Sequence, residues 1–297
     1  MELDRRELKR QARERMSLTD PKFWVVALAY LAMTTGVSWL FSMIPTPESG
    51  NSLLDLQLFL NLLLNLYTTV VDFGLCLWAL WTYRQLDPGV NSLTQGFSVA
   101  GRVILMELGV FVRIFGWYLL ISLGLSVPLV ILWLSTTSEA VAFIALLLFF
   151  AGLIAALVVL TLRYALAPYL LADRPDDGSS VPIYRSAALM RGWKMDLFKL
   201  ELSFLGWELI NLLLSGGVIL FFLRQAGLLS PGVTLDTSWV AACSNVVYSM
   251  PVVILSSLVA IPVSLWLLPY RATARAGFYD ARLLAVSQEQ RPEMPPL

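Results

Sequence analysis

"LFKLELSFLGWELINLL", residues 197–213, is an apolar run that nevertheless carries Lys199, Glu201 and Glu208. The whole chain shares its character: of 297 residues, 58% are hydrophobic and 14% charged, with a mean hydropathy of +0.72. A soluble domain averages about 45–50% apolar and about 25% charged residues. The composition is that of a chain whose main solvent is a bilayer, and the two glutamates must be explained in that solvent.

Six apolar segments lie near 22–44, 54–83, 103–134, 139–172, 196–224 and 238–271. Each is longer than the roughly 20 residues with which a helix crosses hydrocarbon. The longest must tilt or run past the membrane surface. Pro128, Pro168, Pro251 and Pro262 predict kinks within them. The stretch before the first segment is long and mixed in charge, unlike a cleaved signal. "TDPKFW" at 19–24 reads as a helix start, with Thr19 or Asp20 as cap and Pro21 in the first turn.

Lys and Arg are placed unevenly, although the formal net charge is zero. Seven fall in 1–22, two in 84–102, five in 174–199 and four in 271–291. Arg113 and Arg163 sit inside apolar segments, which leaves Arg224 alone for the other side. By the positive-inside rule both termini are expected in the cytoplasm.

The text also repeats. The second, fourth and sixth segments end in "LWTYRQLDPG", "LAPYLLADRPDDG" and "LLPYRATARAGF", aligning Tyr83, Tyr169 and Tyr270. "FVRIFGWYLL" and "ELSFLGWELI" align Gly116-Trp117 with Gly206-Trp207. A short amphipathic stretch precedes each pair: Leu3, Leu8, Ala12 and Met16; Leu93 and Phe97; Ile183, Ala187 and Met190. The expectation is an all-α bundle of six transmembrane helices in three hairpins, each preceded by a cytoplasmic interfacial helix. The chain reads as one integral membrane domain, 1–297. It comprises an amphipathic helix at 1–20, repeats at 22–83, 89–172 and 180–272, and a cytoplasmic tail at 273–297.

The chain has no histidine. That removes Ser-His-Asp and Cys-His hydrolysis, zinc sites built on His and haem ligation through His. Cys76 and Cys243 form no CxxC and read as buried thiols. Around "DRPDDG", Asp177-Gly178 and the Gly192/Asp196 pair partly resemble the carboxylate motif of CDP-alcohol phosphotransferases. Arg174, Val181-Pro182 and Leu200 occupy positions where that motif needs Asp, Ala-Arg and Asp. No catalytic residue, metal site or cofactor is expected, and no nucleic-acid partner.

The intramembrane charges are the sharpest signal. Asp72 lies 11 residues before Tyr83, Arg113 11 after Arg102, Arg163 10 before Asp173 and Glu208 12 after Asp196. At about 1.5 Å per residue along unbroken helices, all four fall at one depth. Isolated charges there cost at least about 2.5–3.5 kcal/mol each on insertion scales. A neutral network is therefore expected in which Glu208 meets Arg113 or Arg163 and Asp72 joins them. Glu201 should sit on the face of Glu208, nearer the cytoplasm. Gly116 and Gly206 are expected at close helix contacts, with Trp117 and Trp207 filling the space beside them. In "YRSAALMRGWK" at 184–194, Arg185, Arg191 and Lys194 are the interfacial basic residues, suited to anionic headgroups.

Between 163 and 210 the chain resembles the bacterial integral membrane family known as domain of unknown function 975. The shared text is Arg163-Tyr164, Ala172-Asp173-Arg174-Pro175, the run from Ser186 to Lys194, and the block from Leu202 to Trp207. "ELKRQARERM", "LDPGVNSLTQGF" and "PYRATARAGFYDARL" extend the likeness over nearly the whole chain. Trp193 stands where that family often has histidine. The resemblance implies a bacterial plasma-membrane protein and brings no activity with it. The functional expectation is a non-catalytic accessory or scaffold protein contacting lipid or a membrane protein partner. The alternative is a small transporter or channel-like protein using the charged layer.

Overall fold

The computed structural model describes residues 4–43, 52–86, 88–136, 138–230 and 236–289, side chains at 42, 52–57 and 289 excepted. The described residues are almost entirely helical and contain no strand. In chain order the α-helices are α1 (Arg5–Ser17), α2 (Phe23–Leu31), α3 (Val37–Ser42), α4 (Ser52–Arg84), α5 (Ser92–Gln95), α6 (Ala100–Ser135) and α7 (Glu139–Tyr164). They continue with α8 (Ala167–Asp173), α9 (Val181–Leu189), α10 (Lys194–Leu202), α11 (Leu205–Gln225), α12 (Thr237–Val247) and α13 (Met250–Glu289). Among the described residues, six spans are long and apolar enough to cross a membrane: Phe23–Phe41, Leu58–Arg84, Ser92–Ser135, Glu139–Asp173, Leu205–Gln225 and Met250–Gln288. The chain is a multi-pass, all-helical membrane protein.

Contacts divide it into two compact units. The first joins Asp4–Gln95 to Leu200–Gly277, and the second joins Gly96–Lys199 to the end of the chain from Phe278.

In the first unit, α1 starts where the Asp4 carboxylate accepts a hydrogen bond from the Arg6 N–H at 2.9 Å, an ordinary N-cap. Leu8, Ala12 and Met16 recur every fourth residue and are buried, as one face of a helix should be. That face is covered by protein: α1 packs on α4. The Tyr83 hydroxyl bonds to Gln11 at 2.8 Å, and Arg15 donates to the Tyr83 carbonyl while its guanidinium lies 3.9 Å from the ring centre. Thr19 closes this helix rather than opening the next, donating its hydroxyl to the Met16 carbonyl at 2.9 Å. The next helix begins at Phe23, with Lys22 as a cap that makes no side-chain bond. Between α2 and α3 the helix widens into a π-helical turn, Ala32–Gly36. Gly74 on α4 lets the α5 backbone approach. A Cβ there would sit 2.7 Å from the Leu93 Cα, and Leu93 is fully buried.

In the second unit, α6 and α7 pack along one another, and α9 packs on both. Their outward side chains, Phe111, Leu120, Val130, Leu148 and Ile154 among them, are exposed and apolar, a surface suited to hydrocarbon. Of the four prolines read as kinks, Pro128 and Pro262 lie inside continuous helices. Pro168 and Pro251 instead occupy the second position of a new helix, where a missing N–H costs little. The break between α7 and α8 is tied to α9 by the buried Ser186. Its hydroxyl donates to the Arg163 carbonyl at 3.1 Å and accepts from the Leu166 N–H at 3.2 Å.

Candidate functional site

Two helix breaks decide where the intramembrane charges lie. Helix α10 stops at Leu202 and α11 begins at Leu205, so Glu208 sits in the first turn of a new helix. Likewise α7 stops at Tyr164, which puts Arg163 in a last turn. A carboxylate at a helix N-terminus and a guanidinium at a C-terminus are both favoured by the peptide dipoles. Counting depth along unbroken helices placed both charges wrongly. Asp72 and Arg113 lie inside helices that run through them, α4 and α6.

The partner of Glu208 is Arg271, at 2.9 Å, and not Arg113 or Arg163 as the spacing predicted. Arg271 also donates to Glu201 at 2.7 Å, and Arg275, one turn further along α13, donates to the other Glu201 oxygen. Two carboxylates and two guanidiniums thus form one neutral cluster. Glu201 is its more covered carboxylate, with 15% of its side chain exposed against 43% for Glu208. Glu201 and Glu208 both meet Arg271, although the helix is broken between them.

Beside the cluster runs an aromatic ladder. Trp207 lies 4.9 Å from Trp266 between ring centres, Trp266 4.8 Å from Tyr270, and Tyr270 5.1 Å from Phe204. Lys9 of α1 closes it, with its ammonium 4.6 Å from the Phe204 ring centre, a cation–π contact. The same ammonium donates to the Ser203 hydroxyl at 3.1 Å and to its carbonyl at 3.5 Å, capping the end of α10. Burial first, and the charge of Arg13 second, push the Lys9 ammonium below its ordinary pKa. Sequence reasoning missed Lys9, Arg271 and Arg275.

Asp72 accepts a hydrogen bond from the Tyr30 hydroxyl at 2.6 Å and is exposed on α4, so it does not join a four-charge network. Arg113 donates to the Gly109 carbonyl of its own helix at 2.9 Å and to the Tyr184 hydroxyl at 3.1 Å. Its guanidinium also lies 5.0 Å from the Tyr184 ring centre. Arg163 lies near the Tyr164 ring, 5.7 Å from its centre, and makes no ion pair among the described residues. Of the three interfacial cations, Arg185 is held by Asp177 at 2.7 Å. Arg191 and Lys194 line a cavity of about 440 Å³ together with Arg163, Ala187, Gly192 and Met195.

A second cavity, of about 500 Å³, lies in the first unit beside the π-helical turn. Ser215, Ser256, Ser257, Ser264 and Thr35 supply its polar lining, and none of its described lining residues is charged. Gly116 and Gly206 are not at close contacts, since a Cβ at either would meet nothing within 4 Å. The close approach on α6 is at Gly109, where a Cβ would lie 2.8 Å from the Ile183 Cδ1. Trp117 is 51% exposed, whereas Trp207 packs in the ladder. Cys76 and Cys243 are half-buried and not joined in a disulfide. Among the described residues no group of three Cys, Asp or Glu side chains could hold a metal ion.

No curated protein and no solved structure matches the chain. One family model does, over residues 1–285, described as a protein of unknown function (DUF975). With nearly its whole length inside that match, from α1 to the last helix, the chain belongs to the DUF975 family.

Proposed function

We infer that this member of the family is a non-catalytic accessory or scaffold protein of a bacterial plasma membrane, with both termini in the cytoplasm and with lipid and membrane proteins as its partners. It is organised as three repeats, each an amphipathic helix followed by a transmembrane hairpin. The observation that carries this reading is the closed cluster of Glu201, Glu208, Arg271 and Arg275, in which every charge has an opposite partner within the first unit. Charges consumed in this way act as glue between helices. A transport path would need them beside an aqueous cavity, whereas the cavity of about 500 Å³ is lined by hydroxyls and apolar groups. The asymmetry of Lys and Arg supports the orientation.

Proteoliposomes holding the purified chain and a pH-sensitive dye test the function. The expected result is no flux of protons or K⁺ above that of empty vesicles. A flux that Glu208→Gln abolishes would overturn the scaffold reading in favour of transport. In a background lacking Cys76 and Cys243, an impermeant thiol reagent added outside intact cells should label cysteines engineered at Ser49 and Thr136 and spare one at Ser179. Labelling at Ser179 would reverse the orientation.

A further inference from the structure

Arg163, in the last turn of an apolar helix, has no carboxylate partner among the described residues. It faces the cavity of about 440 Å³ that Arg191 and Lys194 also line, with no acidic residue in the described lining. That volume lies within the range of about 300–1,000 Å³ usual for small-molecule sites. Three cations converging on one cavity demand an anion. Two of them are arginines, whose planar forks pair best with carboxylate or phosphate oxygens.

The walls are fixed. Ser186, fully buried, ties the end of α7 to α9. Arg282, 4% exposed, donates twice to the Leu189 carbonyl, at 3.1 and 3.0 Å, and lies 4.3 Å from the Trp193 ring centre. The turn carrying Arg191 and Lys194 is therefore clamped on both sides. Gly192 sits between them at φ +79°, a conformation natural to glycine, and nothing lies within 4 Å of where its Cβ would be. Its backbone is left open to the cavity. Lys194 and Met195 are the first two residues of α10, so the positive end of that helix adds to the field. Asp196, the third residue of α10, makes no ion pair with these cations among the described residues.

We propose that Arg163, Arg191 and Lys194 form a binding site for a phosphate group, carried by a lipid headgroup or free in solution. A phosphate monoester brings nearly two negative charges and three acceptor oxygens, enough to engage all three cations. This goes beyond the scaffold reading, which stands or falls on the flux measurement alone.

The test is calorimetric titration of the full-length chain in non-ionic detergent with three probes: dihexanoyl phosphatidic acid, dihexanoyl phosphatidylcholine and inorganic phosphate. Phosphatidic acid should bind, and Arg163→Gln and Arg191→Gln should each raise its Kd about tenfold or more, as loss of a charge-assisted hydrogen bond implies. Arg185→Gln, which removes a cation already held by Asp177, should leave the Kd unchanged. Tighter binding of phosphatidic acid than of inorganic phosphate identifies the membrane as the source, and equal binding identifies the free ion. Both outcomes support the site. The proposal is overturned if neither phosphate probe binds, if phosphatidylcholine binds as well as phosphatidic acid, or if Arg185→Gln weakens binding as much as the other two. Arg191 is exposed in a turn, so its variant keeps the test sound should Arg163→Gln fail to fold.

Discussion

Two charged clusters, one in each unit, are built in opposite ways. In the first, Glu201 and Glu208 meet Arg271 and Arg275, so positive and negative groups balance within a few ångströms. In the second, Arg163, Arg191 and Lys194 share a cavity with no carboxylate in its described lining. The difference teaches that charge has two uses in one chain. A balanced cluster holds helices together, and an unbalanced one is open to a ligand. Mutations should therefore hurt the first region through stability and the second through binding.

The largest effect is expected at Glu201. Glu201→Gln leaves Arg275 without its carboxylate and takes one of two from Arg271, which at a half-buried site costs about 2–3 kcal/mol. Reversible unfolding in mixed detergent micelles measures it, and adding Arg275→Gln should restore part of the loss. A loss no greater than that of an exposed pair, about 1 kcal/mol or less, would break the description of the cluster as glue. Glu208→Gln should cost less, about 1 kcal/mol, because Glu208 is 43% exposed and Arg271 keeps its bond to Glu201. If the two variants cost the same, the cluster acts as a single unit rather than around Glu201. The smallest effect is expected for Arg163→Gln in protein freed of phosphate and lipid, within about 0.5 kcal/mol of the parent in the same assay. A loss like that of Glu201→Gln would mean Arg163 is structural, and the contrast between the units would collapse.

Composition and run length carry most of the fold. The six apolar segments overlap the six spans, and the four-residue spacing of Leu8, Ala12 and Met16 marks the buried face of α1. The charge partners were harder to read, for a local reason. Nothing at Ser203–Phe204 announces a break: there is no Pro or Gly, only a serine that bonds back to the Leu200 carbonyl at 2.6 Å, a habit that weakens helices. Pro168 did signal the break after Tyr164, but it starts α8 instead of bending α7. Arg271 looked like a charge at a membrane surface because the apolar text ends there, while the helix continues to Glu289. The Gly-Trp pairs repeat in the text without sharing a role, since contact depends on what faces the glycine and not on its neighbour in sequence.

The bond from Lys9 to Ser203 joins residues 194 apart. A ribosome adding about 5–20 residues per second needs roughly ten to forty seconds to cover that interval. The Tyr83 hydroxyl that binds Gln11 is only 72 residues away and emerges much earlier. The contacts of α1 with α4 are thus available before Gly96–Lys199 has been made. Its ammonium finds Ser203 and Phe204 only after the fifth hydrophobic span begins to appear. Helix α1 is made before the spans yet is among the last elements to be fastened, so an extension or tag fused ahead of Asp4 would act on late assembly rather than on insertion of the first span.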